Sequence, residues 1–250
     1  MNVKAAYRYQ LSEYKNSVMI YYLVIALVIV FLGVTVSTSE GSFINSTGGI
    51  EMSSAIFLFV IGLNSFKETF LMLLQNGVSR KSLFFGRLAS AGLLCTGMMI
   101  IDRILVAVIK GVIGENQSVR VLGLYEEFYY ERTKELSPLL TNLEAVLFTV
   151  CVYMVAFALG YFITTAYYRM NKAFKIAISV GLPVSIFAVL PLVDSTITKG
   201  RISRFIGYVF GSVLGLNKDQ PYNFIVASLV ATVLLLTFSW LLIRTAVDKK

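Results

Sequence analysis

The sequence predicts an all-α integral membrane protein, and three observations carry that prediction. The 250 residues are 57% apolar and only 14% charged, whereas water-soluble chains carry roughly a quarter charged residues. The mean hydropathy is +0.76. Runs without Asp, Glu, Lys or Arg cover 16–39, 145–168 and 220–243, each 24 residues long, and a fourth covers 176–193 with 18 residues. About 20 apolar residues suffice for a helix to cross a hydrocarbon core of roughly 30 Å. The chain therefore reads as one transmembrane domain, 1–250, with six spans.

Taken in order, residues 1–17 read as a helix lying in the membrane interface. At helical spacing Val3, Tyr7, Leu11 and Tyr14 share one face, with Lys4, Arg8 and Lys15 in a stripe beside it; that arrangement puts aromatics at headgroup depth and cations toward anionic lipid. Spans follow near 18–36, 52–66, 88–109, 145–165, 176–193 and 222–243. The second is charge-free for only 15 residues, so it is short or continues past Lys67 and Glu68. The third is interrupted by Asp102 and Arg103, the ionisable pair expected within the bilayer. Adjacent helical residues point about 100° apart, so these two do not pair with each other. Asp102 and Arg103 read as a bundle-internal or snorkelling pair that orients the helix, or else as a polar point on a substrate path. Pro183 and Pro191 mark a kink in the fifth span, since each proline removes a backbone bond and crowds the preceding turn. The segment 110–144 is long, acidic and aromatic, and reads as a solvated external helix, or else as a short external helix capping the exit.

Lysine and arginine set the orientation. The side holding both termini carries 13 basic and three acidic residues, and the opposite side eight basic and ten acidic. The net charge of +8 thus becomes +10 on one face and −2 on the other, which places both termini in the cytoplasm and removes nucleic acid as a partner.

Several chemistries are excluded by absence. There is no histidine, so Ser-His hydrolysis, zinc proteolysis and histidine relays are out. No phosphate-binding G-x-x-x-x-G-K-[ST] occurs, so the chain does not hydrolyse ATP by the usual loop. No Cys/His cluster offers a metal site, and Cys95 and Cys151 sit in apolar runs as packing residues.

The most informative stretch is 64–88. Ser65 with Glu68 three residues on forms a capping-box pattern, and Gly77 after Asn76 is a helix stop. Between them runs a short helix, 65–77, with Phe66, Phe70, Leu73 and Leu74 at helical spacing, followed by Ser79 or Ser82 as cap of the next span and Arg80, Lys81 and Arg87 at its end. A glutamate in the helix, Leu-Leu, Asn-Gly-Val-Ser-Arg-Lys and a following Gly-Arg-Leu resemble the membrane subunits of type-2 ABC exporters. The interfacial helix, six spans and shared side of the termini fit the same family.

That resemblance implies that 65–77 is the coupling helix, which seats on a cytosolic ABC ATPase carrying ATP and Mg²⁺. The contact would involve Phe66, Lys67, Glu68, Phe70, Leu73, Leu74, Gln75, Asn76, Gly77, Ser79, Arg80 and Lys81. It also implies a re-entrant segment before the last span, here 201–217, with Arg201 and Arg204 at the outer interface. Gly207, Gly211 and Gly215 recur every four residues there, giving a smooth face for close helix packing within the chain or against a second copy or paralogue. The function implied is a permease in a bacterial plasma membrane, binding no cofactor itself and moving amphipathic or lipophilic cargo outward, such as a toxin or antimicrobial peptide or a drug. The alternative is an ATPase-independent carrier, immunity factor or scaffold.

Overall fold

The computed structural model describes residues 3–38, 44–47, 49–113, 119–215 and 220–244. Eleven α-helices follow one another among them: α1 Val3–Thr38, α2 Gly49–Asn64, α3 Lys67–Gln75, α4 Arg80–Ile113, α5 Leu124–Phe128, α6 Tyr130–Glu135, α7 Pro138–Arg169, α8 Lys172–Val184, α9 Leu190–Thr196, α10 Arg201–Val213 and α11 Pro221–Arg244. Two four-residue strands, β1 Ile44–Thr47 and β2 Val119–Leu122, pair in parallel. The sequence reading had no strands; this small ladder ties the connection after α1 to the one after α4.

Among the described residues, five helices are long and apolar enough to cross a membrane: Ala6–Phe31, Arg80–Gly111, Pro138–Arg169, Lys172–Thr196 and Pro221–Arg244. The protein is an α-helical, multi-pass membrane protein. α2 has 16 residues, about 24 Å at 1.5 Å per residue. It qualifies as a span only together with α3, which departs from it at 44°.

α1 runs without a break from Val3 to Thr38, so the described residues 3–17 form no helix separate from the first long one, and residues 1–2 lie outside the described residues. Its first turns are held by packing: Ala6, Gln10 and Tyr14 are buried against the rest of the bundle, while Lys4, Arg8 and Lys15 are exposed. Gly86 of α4 makes this approach close, since a Cβ there would lie 3.2 Å from the Gln10 side-chain oxygen and 3.3 Å from the Tyr7 backbone nitrogen.

α7 is the central helix, with α2 and α11 packed along it and α4 beside it. The α2–α7 crossing depends on two facing glycines. A Cβ on Gly62 would stand 2.5 Å from the Phe157 carbonyl oxygen, and one on Gly160 would strike the Phe59 carbonyl. Glycine permits such backbone contact and little else does. The glycines expected to pack, Gly207, Gly211 and Gly215, behave otherwise. A Cβ at Gly207 would meet nothing within 4 Å, no residue of α10 is buried, and Gly215 lies beyond the helix in a turn at φ +66°. Gly215 does pack closely, since a Cβ there would lie 2.1 Å from the Gln220 carbonyl oxygen, but against the turn that follows and not as part of a continuous face with Gly207. Residues 216–217 of the expected re-entrant segment lie outside the described residues.

In the long helix Lys172–Thr196 the prolines reset the hydrogen-bond ladder. Pro183 sits inside α8, Pro191 opens α9, and a π-helical turn, Ser185–Val189, separates them. Pro191 has no N–H to give, and a wider turn before it absorbs the missing bond. Lys172–Thr196 remains one helical run.

Candidate functional site

Polar side chains gather at three levels of the bundle. The first is the end that carries α3. Gly77 at φ +72° stops this helix, and the Asn76 and Gly77 amides bond back to the Met72 and Leu74 carbonyls. The expected Ser65–Glu68 capping box does not form. Ser65 Oγ donates to the Ile61 carbonyl at 2.5 Å and meets the Tyr14 hydroxyl at 3.2 Å, and the helix has no side-chain cap at its start. Two partners already occupy the hydroxyl that would have capped. Ser79 does cap α4: the Ser82 amide donates to its Oγ at 3.3 Å and the Leu83 amide to its carbonyl at 3.0 Å.

Phe66, Phe70 and Leu73 point into the protein's own core, with exposures of 1%, 1% and 6%. Phe66 stacks on Phe70 at 4.6 Å between centroids, and both rings meet Tyr168 edge-on. These three residues therefore cannot supply an outward contact, and Leu74 is half-buried against the same core. A nine-residue helix has one apolar face, and α4 and α7 claim it. The outward face is Glu68, Met72, Gln75 and Asn76, with Gly77 and Lys81 exposed next to it. Arg80 reaches α11, donating to the Arg244 carbonyl at 2.7 Å. The side chain of Lys67 lies outside the described residues.

α3 is also held from the side. Thr69 Oγ1 donates to both oxygens of Glu13, at 2.8 and 3.0 Å. Arg87 of α4, expected to flank its span, is buried. Its guanidinium lies 3.3 Å from Glu13, donates to the Tyr14 hydroxyl at 2.5 Å and sits over the Tyr14 ring. Gln10 adds a bond to the Leu83 carbonyl at 3.3 Å. Glu13 thus joins α1, α3 and α4.

The second level lies within the bundle. Asp102 and Arg103 do not pair, as their spacing predicts. Asp102 is fully buried and accepts hydroxyl protons from Tyr22 at 2.9 Å and from Tyr153. Arg103 reaches Asn142 of α7 at 2.8 Å and lies 3.7 Å from Glu51 of α2. Glu51, Glu144 and Asp194 are buried too, so carboxylates within the apolar helices are commoner than the sequence reading allowed.

The third level is the end carrying α5 and α6. Glu51 accepts the Leu124 amide at 2.5 Å, and Glu126 is bonded by Lys110 at 2.5 Å and by the Gly123 amide at 3.2 Å. Glu144 binds four donors: Arg132 Nε at 2.8 Å and Nη2 at 2.7 Å, Tyr125 at 2.5 Å and Tyr222 at 2.6 Å. The bond to Glu144 holds the Arg132 guanidinium above its ordinary range, and burial, then Glu144, pushes the Tyr125 phenol up. Tyr125 and Tyr129 are fully buried around Phe148. The expected solvated helix is instead packed onto the bundle end, because its tyrosines find a carboxylate and an aromatic cluster. Beyond it, Asp194 caps α10 from a distance, accepting the Ile202 amide at 2.9 Å and the Ser203 amide at 3.1 Å.

Comparison with known protein families, characterised proteins and solved structures finds no match to this chain.

Proposed function

We propose that the chain is the permease subunit of an ATP-driven exporter. It has six spans, with the short α2 as the second, α3 as the cytoplasmic element that follows it, and α10 as a re-entrant element. Both termini face the cytoplasm of a bacterial cell. The observation that carries this reading is α3: a short helix bent off α2, anchored inward by Phe66 and Phe70 and sideways by Glu13. It leaves Glu68, Met72, Gln75 and Asn76 facing outward. A cytosolic ATPase holding ATP and Mg²⁺ would meet that face. Because Glu13 is bonded by both Thr69 and Arg87, a push on α3 passes to α1 and α4 as a rigid-body shift. The permease itself performs no bond chemistry. Apolar span surfaces suit amphipathic or lipophilic cargo, a peptide or drug. The α8–α9 run has no buried residue except Asp194 and offers a surface for a second copy or paralogue.

A second reading, an ATPase-independent carrier, is favoured by the buried carboxylates Asp102 and Glu51, since ionisable groups within spans mark ion paths. Liposomes holding the permease and its ATPase separate the two. An exporter hydrolyses ATP faster when amphipathic peptides or drugs are added, and a carrier moves the same compounds on an ion gradient without ATP.

A further inference from the structure

Among the described residues, no lysine or arginine lies within ion-pair distance of Asp102; Arg103 beside it on α4 is turned to Glu51, Asn142 and Glu126. The groups facing Asp102 are Tyr22 and Tyr21 of α1, Ser54 and Glu51 of α2 and Tyr153 of α7. Tyr21 is itself bonded to Ser53 at 3.2 Å and Ser54 at 2.9 Å. Four helices thus surround one carboxyl group with hydroxyls and a second carboxyl, and supply no cation. An unpaired charge is costly in such a place.

The Tyr22 hydroxyl has two acceptors within reach, Asp102 Oδ1 at 2.9 Å and the Met98 carbonyl at 3.2 Å. It carries one proton and can give it to either. Directed at Oδ1, that proton solvates a carboxylate. Turned to Met98, it frees an oxygen lone pair that can accept a proton carried on Oδ1. No heavy atom needs to move between the two arrangements.

We propose that Asp102 is a proton-binding site at the junction of α1, α2, α4 and α7, with Tyr22 as its two-way hydrogen-bond partner. Uptake forms an O–H bond on Oδ1 from a proton delivered by water, neutralises the carboxylate, and swings the Tyr22 proton to the Met98 carbonyl. Release reverses both movements when the helices part and water reaches the site. The inference does not rest on the export reading; a pump and a carrier can each hold such a site.

Infrared difference spectroscopy on the full chain in lipid bilayers tests it. The expected result is a carboxylic-acid carbonyl band that grows as the pH is lowered from neutral into the mildly acidic range, is lost in Asp102→Asn and is displaced in Tyr22→Phe, which deletes the hydroxyl and keeps the ring. Coincident acid bands in the wild type and Asp102→Asn would overturn the site. Should Asp102→Asn fail to fold by circular dichroism, Tyr22→Phe decides alone: a displaced band supports the site and an unchanged spectrum refutes it.

Discussion

The Arg87 side chain is 1% exposed, and its guanidinium lies 3.3 Å from Glu13, 74 positions earlier in the chain. Through this pair, and through Thr69 on the same carboxylate, the first helix, the short α3 and the start of α4 act as one body. Arg87→Ala leaves Glu13 without its cation and Tyr14 without a donor. Glu13 is 34% exposed and can rehydrate, so the expected cost is about 2–3 kcal/mol, at the low end for a broken buried pair. Glu13→Gln keeps an acceptor for Thr69 but leaves the buried Arg87 guanidinium without its anion, so it should cost at least as much, about 3 kcal/mol. Thermal unfolding in detergent checks both, and equal midpoints for Arg87→Ala and the wild type would show that the pair holds nothing.

Gly62 and Gly160 should be intolerant of a side chain. Gly160→Ala pushes a methyl into the Phe59 carbonyl and should destabilise by about 1–3 kcal/mol, the range for overpacking. Gly207→Ala fills open space in a helix interior and should be neutral or stabilising by up to about 1 kcal/mol. The two midpoints measured side by side give the answer; the reverse order would refute the α2–α7 crossing.

These two cases show where the sequence was legible. Composition and charge-free runs gave the membrane helices, Gly77 its stop and Ser79 its cap, because each depends on neighbours a few residues apart. The Gly62–Gly160 contact and the Glu13–Arg87 pair join residues far apart in sequence, so Arg87 looked like an ordinary flank and the evenly spaced Gly207 and Gly211 drew attention instead. Periodicity placed Phe66, Phe70 and Leu73 on one face, but an apolar face does not say what covers it. Here the protein's own Tyr168 and Tyr161 do. Glu51 and Glu144 looked like loop residues beside the spans, and only the three-dimensional gathering of Arg103, Arg132 and the tyrosines makes them internal.

Glu144 should hold the α5–α6 segment in place. Glu144→Ala removes the acceptor that Arg132, Tyr125 and Tyr222 share, and hydrogen exchange across 124–135 should rise well above that of the wild type, with Glu144→Gln intermediate. Because the Tyr125 phenol is raised, it keeps its proton in the folded chain beyond the ordinary value. Its contribution is complete below about pH 10 and is lost as pH rises through the folded value. Exchange in 124–135 that accelerates between neutral pH and about pH 9, beyond the intrinsic base-catalysed rise, would contradict this.

Orientation is open to a direct check. Gly200 at φ +79° is a poor place for a label, whereas Arg201 is exposed next to it. Arg201→Cys, with the native cysteines Cys95 and Cys151 buried, should react with an impermeant thiol reagent on intact cells. Gln75→Cys should react only after lysis. The opposite pattern would invert the topology.

The outward face of α3 carries the central claim. The exposed residues to change are Glu68 and Met72, not the buried Phe70, whose loss would damage the fold itself. Affinity purification of the full chain from its native membranes, followed by mass spectrometry, should recover an ABC ATPase with the wild type. Glu68→Arg combined with Met72→Asp should reduce that recovery at least about tenfold while the chain still reaches the membrane at normal levels. An ATPase absent from the wild-type preparation, or recovered undiminished with the double variant, would contradict the account.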